Sequence, residues 1–198
     1  YMNTTIAEER HPLQPFLPPH AQLLMLGSFP PPQKRWSMNF FYPNLQNDMW
    51  RIFGLIFKAD KLAFVDVEEK RFKQQPIEAL LLEKGIALYD TATAVRRLQG
   101  NASDKFLEVT EPTDVVALLR ALPQCRAVAV TGQKATDTLR QTLSVEEPAV
   151  GSFRPFSLDG RSMRFYRMPS SSRAYPMKLE KKAEAYRHMF CDLGMLDE

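Results

Sequence analysis

The chain has 198 residues, with 26 Lys and Arg against 23 Asp and Glu, giving a formal net charge of +3. Apolar residues at 44% and charged residues at 25% are the proportions of a soluble globular domain and exclude a disordered or collagen-like chain. No run of about 18 apolar residues occurs, so no membrane span is expected, and Cys125 and Cys191 are too few for a disulfide framework, a four-cysteine zinc site or a four-cysteine iron–sulfur cluster.

Two cysteines with no signal-like pattern in the first ten residues point to a reducing cytoplasm, with both thiols structural. The length suits a single domain spanning residues 1–198. Eight of the 15 prolines fall within the first 43 residues, so residues 1–20 read as an irregular lead-in. Gln22-Leu-Leu-Met-Leu26 is then a near-continuous apolar run, the pattern of a strand buried on both faces. Met49, Ile52, Phe53, Ile56 and Phe57 follow helical spacing, with Asn47 or Asp48 in the N-cap position.

A second helix runs from Ile77 to Lys84 and stops at Gly85, and the strand Ile86–Asp90 follows at once. Thr113 or Asp114 caps a helix over Val115–Leu122. Next come a strand at Ala127–Thr131, a helix from Gln133 to Leu143, a strand from Met163 to Met168 and a closing helix from Met177 to Asp192. Strands alternating with helices predict an α/β fold: a three-layer α/β/α sandwich around a central, mainly parallel four-stranded sheet.

In such a sheet, ligands bind beyond the carboxyl ends of the strands. Those ends carry Gly27-Ser28-Phe29-Pro30, Asp90-Thr91, Thr131-Gly132 and Pro169-Ser170-Ser171-Ser172, together a polar rim. There is no Gly-x-Gly-x-x-Gly, Walker A loop or Gly-x-Ser-x-Gly elbow, which argues against dinucleotide enzymes, P-loop NTPases and Ser–His hydrolases. His11, His20 and His188 are not expected at strand ends, and no residue cluster has metal-ligand spacing, so no metal or cofactor is expected.

Between the first strand and first helix lie Phe40, Phe41, Tyr42, Asn44 and Asn47. Phe40 or Phe41 is expected in the core, whereas Tyr42, with its polar tip, suits a half-wet stacking platform. Asn47 reads either as a helix cap or as a functional amide. Charge is unevenly spread: residues 161–190 hold eight basic and two acidic side chains, a local +6. That is either a polyanion-facing edge or a solvated helix face.

At these residues the sequence resembles the uracil-DNA glycosylase superfamily, most of all its mismatch-specific and hypoxanthine-DNA glycosylase branches. Leu26-Gly27-Ser28-Phe29-Pro30 resembles the family's first motif, and Tyr42 to Trp50 the aromatic and Asn stretch after it, with Met49 in an aromatic slot. Gly85 to Thr91 is similar to the strand ending in the base-reading residue, here Asp90, and Met168-Pro-Ser-Ser-Ser172 resembles the closing loop. Phe29 departs from the family's Asp or Asn, and Met168 stands where classical uracil enzymes carry His.

The resemblance implies a base-excision repair glycosylase, acting as a monomer on DNA with a damaged or mismatched base, without metal. It implies Asn47 as the catalytic amide, and Gly27, Ser28, Phe29, Tyr42 and Asp90 around the flipped base. Ser170, Ser171, Ser172 and Arg173 would contact phosphate, although a flexible turn is the plainer reading of three serines. Ala174 or Tyr175 would wedge into the gap left by the base, or Tyr175 simply leads into the last helix. A catalytically inactive nucleic-acid-binding module, or another small hydrolase on this fold, is the alternative.

Overall fold

The computed structural model describes residues 6–99 and 104–197. The first five residues of the expected lead-in lie outside the described residues. The rest of that segment is not irregular throughout. It forms a short strand β1 (Glu9–Arg10), and Phe16 exchanges both backbone hydrogen bonds with Leu88, at 2.9 Å each.

Five strands make the central sheet: β2 (Leu23–Gly27), β5 (Ile86–Asp90), β8 (Ala127–Thr131), β9 (Ser152–Leu158) and β10 (Arg161–Met168). Their order is β5-β2-β8-β10-β9, with the first four parallel. The expected four-stranded sheet is therefore extended by an antiparallel edge strand. β9 and β10 form a hairpin across Asp159 and Gly160, both with positive φ (51° and 77°), the geometry of a two-residue Asp-Gly turn. Pro155 sits in β9, where a missing N–H is tolerated because the strand is at the edge. Phe16 occupies the opposite edge, beside β5, so that edge too is partly closed.

Helix α1 (Met49–Lys58) follows β2 and a short hairpin, β3 (Val65–Asp66) with β4 (Arg71–Phe72), precedes α2 (Gln74–Lys84). α2 starts three residues earlier than the apolar spacing implied, because Pro76 fits the first turn, where its missing N–H costs nothing. It ends where expected, at Gly85 with φ 72°, whose N–H caps Leu81. Strands β6 (Ala92–Arg97) and β7 (Leu107–Pro112), absent from the sequence reading, pair with β1 into a second sheet ordered β1-β6-β7. α3 (Val115–Arg120) is capped by Asp114, whose carboxylate accepts from Ala117 N–H at 3.0 Å, and α4 (Gln133–Thr142) follows β8.

The closing helix α5 (Leu179–Asp192) packs on α1 through Phe190, whose ring lies 5.6 Å from Phe53 and 5.1 Å from Phe57. β2, β5 and β8 are buried along their whole lengths, as their apolar runs require. Among the described residues, no helix is long and apolar enough to cross a membrane. The fully buried Phe190 gives a direct stability test. Phe190→Ala is expected to lower unfolding free energy by about 3–5 kcal/mol, read as a reduced urea midpoint.

Candidate active site

The chain enters the sheet at β2, moves sideways to β5, then returns across β2 to β8. This reversal leaves a crevice at the carboxyl ends of β2 and β8, the expected place for a ligand in a sheet of this type. A cleft of about 690 Å³ opens there. Gly27, Ser28, Phe29, Tyr42, Asn47 and Asp90 all line it, as do Ser170, Ser171, Ser172 and Arg173. The residues singled out in the sequence therefore meet in one cavity, although they come from four separate stretches of chain.

The floor is set by strand register. Gly27 and Asp90 are direct partners on β2 and β5. A Cβ on Gly27 would lie 2.7 Å from the Asp90 carboxylate and 3.1 Å from the Tyr42 hydroxyl, so only glycine lets both groups approach the strand. The Tyr42 hydroxyl also reaches Thr131 Oγ1 at 3.3 Å, and its ring meets Trp50 edge-on at 6.0 Å. Tyr42 holds φ 51°, in the left-handed region that non-glycine residues rarely adopt, so local backbone strain is concentrated at the pocket wall.

The sequence reading missed His11. It follows β1 directly, and its side chain is only 1% exposed. Nε2 lies 2.7 Å from Asp90 Oδ2, while Nδ1 accepts from Leu13 N–H at 3.1 Å. This corrects the expectation that no histidine sits at a strand end. Its sequence neighbourhood carried no signal, because the juxtaposition arises only when the lead-in folds back onto β5 and β6. Phe29, buried to 8% exposure, packs its ring edge-on against His11 at 5.3 Å and lies beneath the Arg97 guanidinium at 5.5 Å.

The rim is pinned by a short antiparallel contact between residues 46–48 and 171–173. Asn47 bridges to Ser172, Asp48 N–H donates to Ser171 O at 2.7 Å, and Arg173 N–H donates to Gln46 O at 3.0 Å. Of the two N-cap candidates, Asp48 takes the N-cap position of α1; Asn47, one residue earlier, lines the pocket, and its Oδ1 accepts from Met49 N–H at 2.9 Å. Ser170 and Ser172 hydroxyls accept from backbone N–H groups two residues on, which makes the serine loop an ordered turn. Ser171 is buried to 2% exposure.

Asp48 sits behind this rim with Arg51 at 3.3 Å, Arg173 at 3.1 Å and Lys182 at 3.8 Å. Lys182, at 1% side-chain exposure, also donates to Ser172 O at 2.7 Å. Burial lowers the Lys182 ammonium below the ordinary lysine range, opposed by Asp48. Arg51 is lowered by burial and by Arg173.

The +6 segment is not a single anion-facing edge. Arg161, at the far end of β10 and about 23 Å from Met168 by strand rise, donates to the carbonyls of Leu119, Leu122 and Cys125. Arg164 lies over the Phe153 ring at 4.4 Å, and Arg167 donates to Pro148 O and pairs with Glu147. Lys178, Lys181 and Arg187 are exposed on or beside α5, the plainer solvated-face reading. Of that segment's basic residues only Arg173 lines the cleft, joined there by Arg35 and Lys105 from elsewhere. Ala174 and Tyr175 border the mouth, with Tyr175 N–H donating to Ser172 O.

Among the described residues, no group of three or more His, Cys, Asp or Glu side chains is placed to hold a metal ion. No family model matches the chain, and no curated protein matches it. Among solved structures, one from Methanosarcina acetivorans, described as a "putative Uracil DNA glycosylase", is similar in fold. The match has a TM-score of 0.59 at 23% identity, over 92% of this chain and 99% of that one. At this identity the likeness establishes the fold: an α/β architecture shared across nearly the whole of both chains.

Two outcomes follow from the site's electrostatics. Asp48→Ala would leave Lys182 and Arg51 buried without their carboxylate, and is expected to cost about 3–5 kcal/mol in urea unfolding. Burial, reinforced by Asp90, pushes Tyr89 from its ordinary 10.0 up to about 12. The unfolded chain therefore loses this proton first, so Tyr89's contribution is complete below pH 10 and lost as pH rises towards 12. Thermal melts should fall steeply across that window in the wild type and less steeply in Tyr89→Phe.

Proposed function

We propose that this protein is a DNA glycosylase that hydrolyses the N-glycosidic bond of a flipped, deaminated base, uracil or hypoxanthine. The observation that carries this reading is the layering of the cleft. A buried carboxylate and an aromatic residue, Asp90 and Tyr42, form its floor; an amide, a serine loop and cations form its rim. A nucleotide rotated out of a duplex presents the same layering, with an apolar, hydrogen-bonding base inward and its sugar and phosphates outward. The similarity in fold to the Methanosarcina structure supports the reading, as do the motifs at the strand ends.

In this mechanism Tyr42 stacks on the base and Asp90 accepts a hydrogen bond from its edge. The turn at Gly27, Ser28 and Phe29 lies against the base and stabilises negative charge on the leaving ring. As the glycosidic bond stretches, the sugar takes on oxocarbenium character and is open to water. Asn47, at the rim, holds that water: Oδ1 keeps a second lone pair beyond the one given to Met49 N–H, and Nδ2 donates. An amide orients water without taking its proton, so the step relies on positioning: the C1′–N bond breaks to release the base as an anion, the water oxygen bonds C1′, and its proton passes to the departed base or to solvent. Ser170 and Ser172 retain hydroxyl protons to donate to phosphate oxygens, Ser171 shapes the turn, and Arg173, Arg35 and Lys105 supply positive charge.

A second reading, a binding module without turnover, draws on Phe29, an apolar ring where the resembled enzymes carry a polar group. One experiment separates the two. Duplexes carrying uracil, hypoxanthine, xanthine or a thymine mismatch are incubated with enzyme in excess and scored for abasic sites. Release of uracil or hypoxanthine is expected. Asn47→Ala should slow release by about 100-fold while duplex affinity stays within twofold. No release from any duplex would overturn the enzyme reading in favour of the binding module.

A further inference from the structure

We infer that His11 is a positioning residue that fixes Asp90 as an obligate hydrogen-bond acceptor, so that the pocket selects the N–H edge created when a base is deaminated. The inference rests on the glycosylase reading for its biological substrate, while its structural content stands on the contacts of one buried imidazole.

Both ring nitrogens of His11 are committed. Nδ1 accepts from Leu13 N–H, which leaves the proton of the neutral ring on Nε2, 2.7 Å from Asp90 Oδ2. The ring cannot readily turn over. It stacks on Tyr89 at 4.6 Å, meets Phe29 edge-on at 5.3 Å and Phe41 at 5.9 Å, and its own backbone N–H donates to Thr93 O at 2.8 Å. The Asp90 backbone is held as well, its carbonyl accepting from Thr113 Oγ1 at 2.6 Å. With Oδ2 held by His11, Oδ1 is the oxygen that lies over Gly27 beside the Tyr42 hydroxyl, on the pocket side.

The chemical consequence is specific. A carboxylate held by an N–H donor only accepts. Adenine at N1 and cytosine at N3 present bare acceptors, and set against Oδ1 they leave two lone pairs opposed. Hydrolytic deamination turns each of those ring positions into an N–H donor, in hypoxanthine and uracil respectively. An asparagine in place of Asp90 offers a donor as well as an acceptor and discriminates less by this route. The Phe29 ring also gains a role here: it braces the imidazole that sets the carboxylate.

The test uses the full chain and three variants. His11→Phe keeps a ring among Phe29, Phe41 and Tyr89 but has no donor, His11→Gln restores an N–H at similar reach, and Asp90→Asn makes the floor ambivalent. Three readouts are taken: release kinetics on hypoxanthine duplexes, affinity for a duplex carrying an abasic-site analogue, and binding of free hypoxanthine against free adenine. Nitrogen-15 shifts of the imidazole report the tautomer independently of activity.

The expected result is a proton on Nε2, together with kcat/KM on hypoxanthine about 100-fold lower in His11→Phe and at least partly restored in His11→Gln. Abasic-duplex affinity should stay within twofold in every variant. The hypoxanthine-over-adenine preference should narrow at least tenfold in both His11→Phe and Asp90→Asn. A proton on Nδ1, or His11→Phe matching the wild type in rate and base preference, overturns the inference. If the wild type releases no base yet binds hypoxanthine over adenine in a His11-dependent way, the glycosylase reading falls and this inference stands. If neither free base binds selectively, the inference falls whatever the activity.

Discussion

One carboxylate organises the working end of this molecule. Asp48 lies at the start of α1, yet its oxygens are shared by Arg51 from that helix, Arg173 from the serine loop and Lys182 from α5. Lys182 also holds the Ser172 carbonyl, and the Asp48 backbone N–H holds that of Ser171. A buried charge is tolerated only when its partners are close and its remaining valences are met, and here both conditions tie three distant segments together. Asn47 sits next to this hub, so its place at the rim is fixed from behind by Asp48, Arg51 and Lys182, none of which lines the cleft, and by Arg173, which does. Three cations to one carboxylate also leave a positive balance beneath the serine loop, where the overall +3 of the chain would not have located it.

Much of this was legible in the sequence because much of it is local. Leu23–Leu26, Ile86–Tyr89 and Val128–Val130 are apolar runs buried on both faces, and a run of that kind has few alternatives to a central strand. Gly85 ends α2 because its left-handed backbone requires it. Since parallel strands expose their carboxyl ends together, ordering the strands was enough to bring Gly27, Asp90 and the serine loop to one rim. The hairpin β9–β10 was not read, although Asp159-Gly160 is a strong turn signal, because Pro155 looks like a strand breaker until the strand is known to be an edge.

What escaped the sequence is non-local. β6 and β7 read poorly because both include charged residues whose partners appear only after folding: Arg96 pairs with Glu108 between the two strands, while Arg97 and Glu111 pair with Glu9 and Arg10 of β1. The lead-in looked irregular because Pro12, Pro15, Pro18 and Pro19 forbid regular structure, but two backbone hydrogen bonds from Phe16 and one from His11 suffice to dock it. The basic segment misled for a related reason. Arginine spacing says nothing about where guanidinium groups end, and Arg161 and Arg164 are spent on carbonyls and an aromatic face.

The departure at Phe29 is best understood through its neighbours rather than its position in a motif. The ring there faces the His11 imidazole, the Arg97 guanidinium and the small apolar cluster of Ala92, Val95 and Leu107. Phe29 completes that cluster, and the polar work at the pocket floor passes to Asp90, one strand away. The floor is correspondingly rigid: Gly27 has no side chain to move, Asp90 and His11 hold each other, and Tyr42 keeps a strained backbone against Trp50 and Thr131. In the proposed function, selectivity at the floor would come from which atoms these contacts hold in place. The rim differs in kind: Arg35 and Lys105 are exposed there, and Arg173 adds a cation anchored to Asp48 at 3.1 Å. In the function proposed here, a pocket divided in this way would separate two demands: the buried end would discriminate by hydrogen-bond polarity, and the open end would attract an anionic strand with little regard to its sequence.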